Sequence, residues 1–142
     1  MTVALGVVSI LVGSIVVGGQ LISVLDFALA QRIGLQERDE ETDELHRRLE
    51  LNTARWDLFV FWTLPLAGVA MLIDASWWPW VALLAGGICV DTGGREAAKV
   101  LGLRAERVRI GTESERRNLF GLYGLLVVVG LALVAHALVF LI

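Results

Sequence analysis

Apolar residues along this chain gather into four blocks, separated by two long charged stretches and one short break. The blocks cover about residues 3–30, 54–73, 79–103 and 118–142. A helix needs roughly 20 apolar residues to cross the hydrocarbon of a bilayer, and each block meets or approaches that length. The pattern predicts an all-α polytopic membrane protein: a four-transmembrane-helix bundle forming a single domain over 1–142. The third block is the least even. It is purely apolar only from Trp80 to Val90, so its helix is expected to continue past Asp91 toward Leu103. Continuation places Asp91, Arg95 and Lys99 on one stripe at i, i+4 and i+8.

Local signals refine these blocks. Ser9-x-x-x-Gly13 and Ser14-x-x-x-Gly18 put small residues along faces of the first helix, which permits close approach of a neighbouring helix or a second copy. Gln20, deep in that block, is expected to face another helix. Asp39 is the expected cap of a helix leading into the second block, supported by Asp43–Arg47 and Glu44–Arg48 pairs with the acid first. Pro65 should kink the second helix, because proline removes a backbone donor and crowds the preceding turn. Pro79 suits a first helical turn, and Thr112-x-x-Glu115 has the form of a capping box.

Charge orients the blocks. All twelve basic residues lie between Arg32 and Arg55 or between Arg95 and Arg117, in and around the first and third connections. Basic connections stay on the cytoplasmic side, so both termini and the second connection are expected outside. Trp56 then marks the inner interface, and Trp77, Trp78 and Trp80 mark the outer one. Met1-Thr2-Val3 lacks the basic region of a cleavable signal, so the first block is expected to remain as a helix. The expected location is a bacterial or archaeal cell membrane, with membrane lipids as surroundings.

Composition agrees: the chain is 56% hydrophobic with a mean hydropathy of +0.71. From Arg32 to Asp57 eight acids face five bases, and from Asp91 to Arg117 five acids face seven, so the two connections have the charges to pair. That dilution by acids argues against a nucleic-acid partner. Cys89 is the single cysteine, and His46 and His136 are the only histidines. They offer no basis for a metal site or a haem.

Polar residues near the cytoplasmic ends of the spans supply the candidate chemistry. Asp26, Asn52, Arg55, Asp57, Asp91, Arg95 and Asn118 fall at similar expected depth. Ionisable groups within a membrane are costly and turn toward partners or a cavity. They would either anchor the interface and form structural pairs such as Asp91–Arg95, or line a polar pocket open to the cytoplasm, with guanidiniums able to hold a carboxylate or phosphate.

Glu44-x-x-x-Arg48-x-x-x-Asn52 resembles the start of the second helix in the membrane-associated proteins in eicosanoid and glutathione metabolism (the MAPEG family). Members of that family are four-helix proteins of similar length, assemble as trimers and bind glutathione between neighbouring subunits. The resemblance implies a homo-oligomer that uses glutathione as cosubstrate in a transferase reaction on a lipophilic small molecule. Arg48 and Asn52 would contact the glutathione. Arg95 is similar to the arginine of the family's Y-x-x-x-R stretch, and Arg116 and Arg117 are candidates for an arginine that stabilises the thiolate. Arg55 stands where the family pattern has glutamate, and Asp91 where it has tyrosine. Two other readings remain open: a small transporter or channel using Asp26, Asp57 and Asp91, and a noncatalytic scaffold docking through its charged face.

Single cysteines near Glu41 and Arg107 are expected to react with an impermeant maleimide only from the cytoplasmic side. Cysteines near Ser76 and after Ile142 should react only from outside, and labelling of positions 41 and 107 from opposite faces would break the four-span reading.

Overall fold

The structure, a computed structural model, describes residues 1–38, 40 and 42–142. It is all-helical, with 82% of the chain in helix. Among the described residues six α-helices follow in order: α1 (Thr2–Leu25), α2 (Phe27–Arg32), α3 (Glu44–Val60), α4 (Thr63–Leu72), α5 (Trp78–Ala105) and α6 (Glu113–Leu141). Among the described residues, three helical segments are long and apolar enough to cross a membrane: Thr2–Leu25, Glu44–Leu72 and Glu113–Leu141. The helix α5 is 28 residues long but carries Asp91, Arg95, Glu96 and Lys99 in its second half. Large apolar side chains cover the outside of all these segments, among them Leu11, Ile15, Val69, Leu84, Val128 and Val139, while Asp57, Glu96 and His46 are buried. Apolar outside with ionisable groups inside is the arrangement a lipid-facing protein requires.

The first apolar block breaks earlier than the sequence suggests. After Leu25 the backbone turns at Asp26, whose carboxylate accepts a hydrogen bond from the Leu29 N–H at 2.9 Å and so caps the short α2. The second block breaks at Phe61–Trp62, four residues before Pro65. Proline has no N–H to offer the Phe61 carbonyl. That carbonyl accepts from the Leu64 N–H at 3.0 Å instead, and the Thr63 hydroxyl takes up the Val60 carbonyl at 2.7 Å. The expected kink is therefore a break with its freed acceptors satisfied. Asp39 lies outside the described residues. The N-cap position of α3 belongs to Asp43. Pro79 occupies the first turn of α5, and Thr112 and Glu115 form the complete capping box at the start of α6.

Small residues set how closely the long helices approach. Ser9 and Gly13 on α1 are buried against α4, where a Cβ at Gly13 would collide with Pro65. Ser14 is exposed and Gly18 faces open space, so only the first of the two small-residue pairs is used within the chain. The helices α5 and α6 pack most extensively. A Cβ on Gly86 would lie 2.7 Å from the Gly130 carbonyl oxygen, one on Gly130 would lie 2.6 Å from that of Gly86, and one on Gly93 would lie 2.6 Å from that of Tyr123. The core around these contacts includes Ala67, Ala70, Ala82, Ala85, Cys89 and Leu133. Cys89 is a buried free thiol within that core.

Two aromatic expectations divide. Trp77 and Trp80 are exposed, as interfacial residues would be. Trp78 is buried, stacked on His136 with ring centroids 5.4 Å apart and edge-on to Phe140 at 4.9 Å. Trp78 at the first turn of α5 points into the α5–α6 seam, so it does not belong to an interfacial belt. His136 in turn meets the Thr2 hydroxyl at 2.8 Å, tying the start of α1 to the end of α6.

Gly86→Val should wedge α5 from α6 and destabilise the fold by roughly 1–3 kcal/mol, as overpacking does. Gly87→Ala, next to it but facing open space, should leave thermal unfolding in detergent unchanged. Equal unfolding temperatures for both variants would contradict the close-approach account.

Candidate functional site

Two faces of α3 have opposite fates. His46, Glu50, Thr53 and Asp57, at i, i+4, i+7 and i+11, turn inward. Glu44, Arg48, Asn52 and Arg55 turn outward. Residues two apart on a helix lie about 200° apart, so a shift of two positions exchanges one face for the other. The inward face of α5 adds Thr92 and Glu96, with Lys99 beside them, and α6 adds Tyr123. From α1 comes Gln20, and from the first connection come Gln36 and Glu37.

These side chains surround a cavity of about 90 Å³. Phe61 and Leu126 line its apolar end, where α3 gives way to the break before α4. Four carboxylates line it: Glu37, Glu50, Asp57 and Glu96. Lys99 reaches in among them. Its ammonium donates to Glu50 at 2.8 Å and more distantly to the Thr53 hydroxyl at 3.4 Å, and it is paired closely with Glu96. Glu96 also has the Arg95 guanidinium at 3.9 Å. His46 is fully buried between Glu37, at 3.6 Å from Nε2, and Glu50, at 3.8 Å from Nδ1. Asp57 Oδ2 accepts a hydrogen bond from the Gln20 amide at 3.2 Å, while its Oδ1 is buried with no protein donor. Gln20 thus faces a neighbouring helix, as its depth in the first block suggests.

The acids outnumber the cations around this space. Formal charge is negative even with Lys99 protonated and His46 charged, since four carboxylates face those two groups. Glu37 sits on the connection, outside the long helices. Burial pushes its carboxyl upward, but the His46 imidazole beside it, its own backbone N–H and the Lys99 charge together hold it below the usual glutamate range.

The connections meet at the same end of the molecule. Asp43 Oδ2 accepts from the Arg109 backbone N–H at 2.8 Å, and Oδ1 accepts from the guanidinium at 3.2 Å. The Asp43 N–H donates to the Arg109 carbonyl, and Thr42 pairs with Ile110 in an isolated antiparallel bridge. The Arg109 backbone N–H, then its guanidinium, keep the Asp43 carboxyl below the usual aspartate range despite some opposing desolvation. The pairing expected between the two charged connections is present, but its acid is Asp43, which the i, i+4 pattern assigned to Arg47.

Of the ligand residues expected from sequence, only Asp57 lines the cavity. Arg48 is 72% exposed and bound to Glu44, and Asn52 and Arg55 share its outer face. Asp91 is 73% exposed and pairs at 3.6 Å with Arg95, itself 44% exposed. Asp91 opens instead onto an apolar groove with Trp56, Val60, Leu84 and Gly87. Asp26 caps α2 at the surface, and Asn118 is exposed on α6. Lys99 leaves the stripe of Asp91 and Arg95 because eight residues advance a helix about 80° beyond two full turns. Glu37, His46, Glu50, Glu96 and Lys99 are the members that sequence reasoning missed. The signal was the His46-x-x-x-Glu50-x-x-Thr53-x-x-x-Asp57 spacing, a polar stripe along one helical face. Among the described residues no group of histidine, cysteine and carboxylate side chains has the arrangement of a metal site. No family model, curated protein or solved structure matches the chain.

Because the folded state holds Glu37 below its ordinary value of 4.5, its carboxylate contributes stability that is fully present above that pH and is lost as pH falls through the folded value. Glu37→Gln should therefore lower the unfolding temperature in detergent near neutrality, with the gap to wild type closing in acid. A gap that widened below pH 4.5 would reverse the sign of this assignment.

Proposed function

We propose that the chain is an integral membrane protein of four crossing helices, α1, α3–α4, α5 and α6, with both termini outside and the two charged connections in the cytoplasm. Its interior acidic cavity is the coupling site of a small transporter, taking up a proton or a small cation at Asp57. The observation that carries this reading is Asp57 itself: a buried carboxyl, hydrogen-bonded through one oxygen, with the other facing a cavity lined by three more acids. Such intramembrane acids mark ion pathways by default. The cavity has room for only a few waters at roughly 30 Å³ each, which favours a proton or a small ion over an organic substrate.

Crossing by α5 is consistent with its composition. Its charged half turns Glu96 and Lys99 inward to partners, so these residues need not face lipid. Beyond the cavity, toward the proposed outer side, Phe61, Leu126 and the Gly86–Gly130 contact close the way. Transport therefore requires a second arrangement of this region. The break at Phe61–Trp62 lies one turn from Asp57, and we assign the movement to it.

A glutathione-dependent transferase is the second reading. It is favoured by the outward face of α3, where Arg48 and Asn52 stand one turn apart and open to a neighbouring subunit. That site would require an oligomer such as a trimer, with Arg55 on the same face of α3 and Arg95 meeting it from an adjacent copy.

Proteoliposomes carrying the wild-type chain, driven by a potassium diffusion potential, should change internal pH faster than empty vesicles. Asp57→Asn should abolish that excess, whereas Asp91→Asn, at the exposed groove, should keep most of it. Wild-type vesicles no faster than empty ones, both in this pH change and in uptake of labelled sodium, would sink the transport reading. Saturable binding of glutathione that Arg48→Ala weakens more than tenfold would put the transferase in its place.

A further inference from the structure

Away from the acidic cavity, the end of α5 and the first turns of α6 enclose an open groove of about 480 Å³, lined by Arg104, Glu113, Ser114, Arg116, Arg117 and Phe120. Three guanidiniums face one carboxylate there. Arg116 is committed to the fold: one of its nitrogens donates to the carbonyls of Ile110 and Gly111, at 3.2 and 2.7 Å. Arg104 and Arg117 have no acid within ion-pair distance among the described residues. Unpaired guanidiniums around a concave surface offer the fork of donors that a phosphate accepts.

Beyond the groove, the face of α6 that carries Arg117 continues into the apolar part of the helix. Arg117, Gly121, Gly124 and Val128 follow at i, i+4, i+7 and i+11, along one face of α6. Gly121 and Gly124 are exposed, and a Cβ at either would meet nothing within 4 Å. They are therefore not the close-packing glycines of the α5–α6 seam, which lie at Gly86, Gly93 and Gly130. A strip without side chains runs from the arginines up the apolar part of α6, flanked by Leu122 and Leu125, which are also exposed. Where α6 crosses the membrane, this strip lies at the depth of acyl chains and the arginines at the depth of headgroups.

We infer that this groove is a binding site for an anionic phospholipid of the cytoplasmic leaflet, with Arg104 and Arg117 holding the phosphate and the Gly121–Gly124 strip seating one acyl chain. The phosphate arm alone would fit a soluble phosphate as well. The glycine strip selects the lipid, because a soluble anion has no use for an open apolar slot. Phe120, half-buried, lines the groove on the side toward the apolar part of α6. The inference depends on α6 crossing the membrane and is independent of any chemistry at Asp57.

The test uses the full chain purified in neutral detergent, with bound lipid counted by native mass spectrometry. Phosphatidylglycerol should be retained in preference to phosphatidylcholine. The double variant Arg104→Gln/Arg117→Gln should weaken that retention about tenfold or more, while Arg32→Gln/Arg38→Gln on the acid-rich connection should not. Gly121→Leu/Gly124→Leu should reduce phosphatidylglycerol retention with the arginines intact, which keeps the test decisive should the arginine variant fail to fold. Equal retention of the two lipids by wild type would overturn the proposal. So would inorganic phosphate competing as strongly as the lipid, since the groove would then be a plain anion site.

Discussion

Lys99 is the residue on which the interior depends. Its ammonium is shared between Glu50 on α3 and Glu96 on its own helix, and all three side chains are largely withdrawn from solvent. Burying an ion is costly unless its partner is held in place, and removing one member of such a pair typically costs roughly 3–5 kcal/mol because the other is left uncompensated. The Lys99–Glu50 contact therefore ties α3 to α5, while the packing of α1 and the Gln20–Asp57 hydrogen bond hold it from the other side. Held from both sides, the polar stripe of α3 faces inward. Asp57, two turns further along, is carried into the interior with it.

The apolar half of the molecule is held by a different device. There the helices carry few groups that could specify a register, and glycine and alanine supply it through contact distance. Gly86 and Gly130 bring two backbones together where any larger side chain would hold them apart. Lipid tails are as apolar as the side chains they replace, so close packing, and not the removal of apolar area from water, holds this region. The fold thus combines an electrostatically keyed half, at the end where the charged connections meet, with a sterically keyed remainder, and the break before Pro65 lies near their boundary.

The sequence made the helices plain because a run of twenty apolar residues has few other uses. Pro79, Pro65 and the Thr112–Glu115 box were legible for the same reason: each acts on its own backbone within one turn. Helix faces were harder to read. Glu44, Arg48 and Asn52 form as regular a spacing as His46, Glu50, Thr53 and Asp57, and nothing local says which set turns inward. The answer lies in Lys99, forty-nine residues beyond Glu50, and a contact of that range leaves no trace in either helix alone. Trp78 was misread similarly. Its neighbours Trp77 and Trp80 are exposed, but its own partner, His136, is 58 positions further on. Glu37 could not be recognised as part of the interior at all, since a connection has no periodicity to betray which way a side chain points.

The clasp between Asp43 and Arg109 orders events in time. Its two partners are 66 residues apart, so a ribosome releases the first half of the molecule well before Arg109 exists. In that interval α3 already carries Glu50, and the ammonium that will pair with it has yet to be made. The first pair of long helices can pack on each other through Gly13 and Pro65, but their acids lack that cation. Arrival of α5 brings Lys99 to Glu50, and the turn after it brings Arg109 to Asp43, so one newly made segment supplies both ties. The same segment adds Glu96, so the interior gains its cation and its fourth acid together, and the loop is clasped in the same stretch of synthesis.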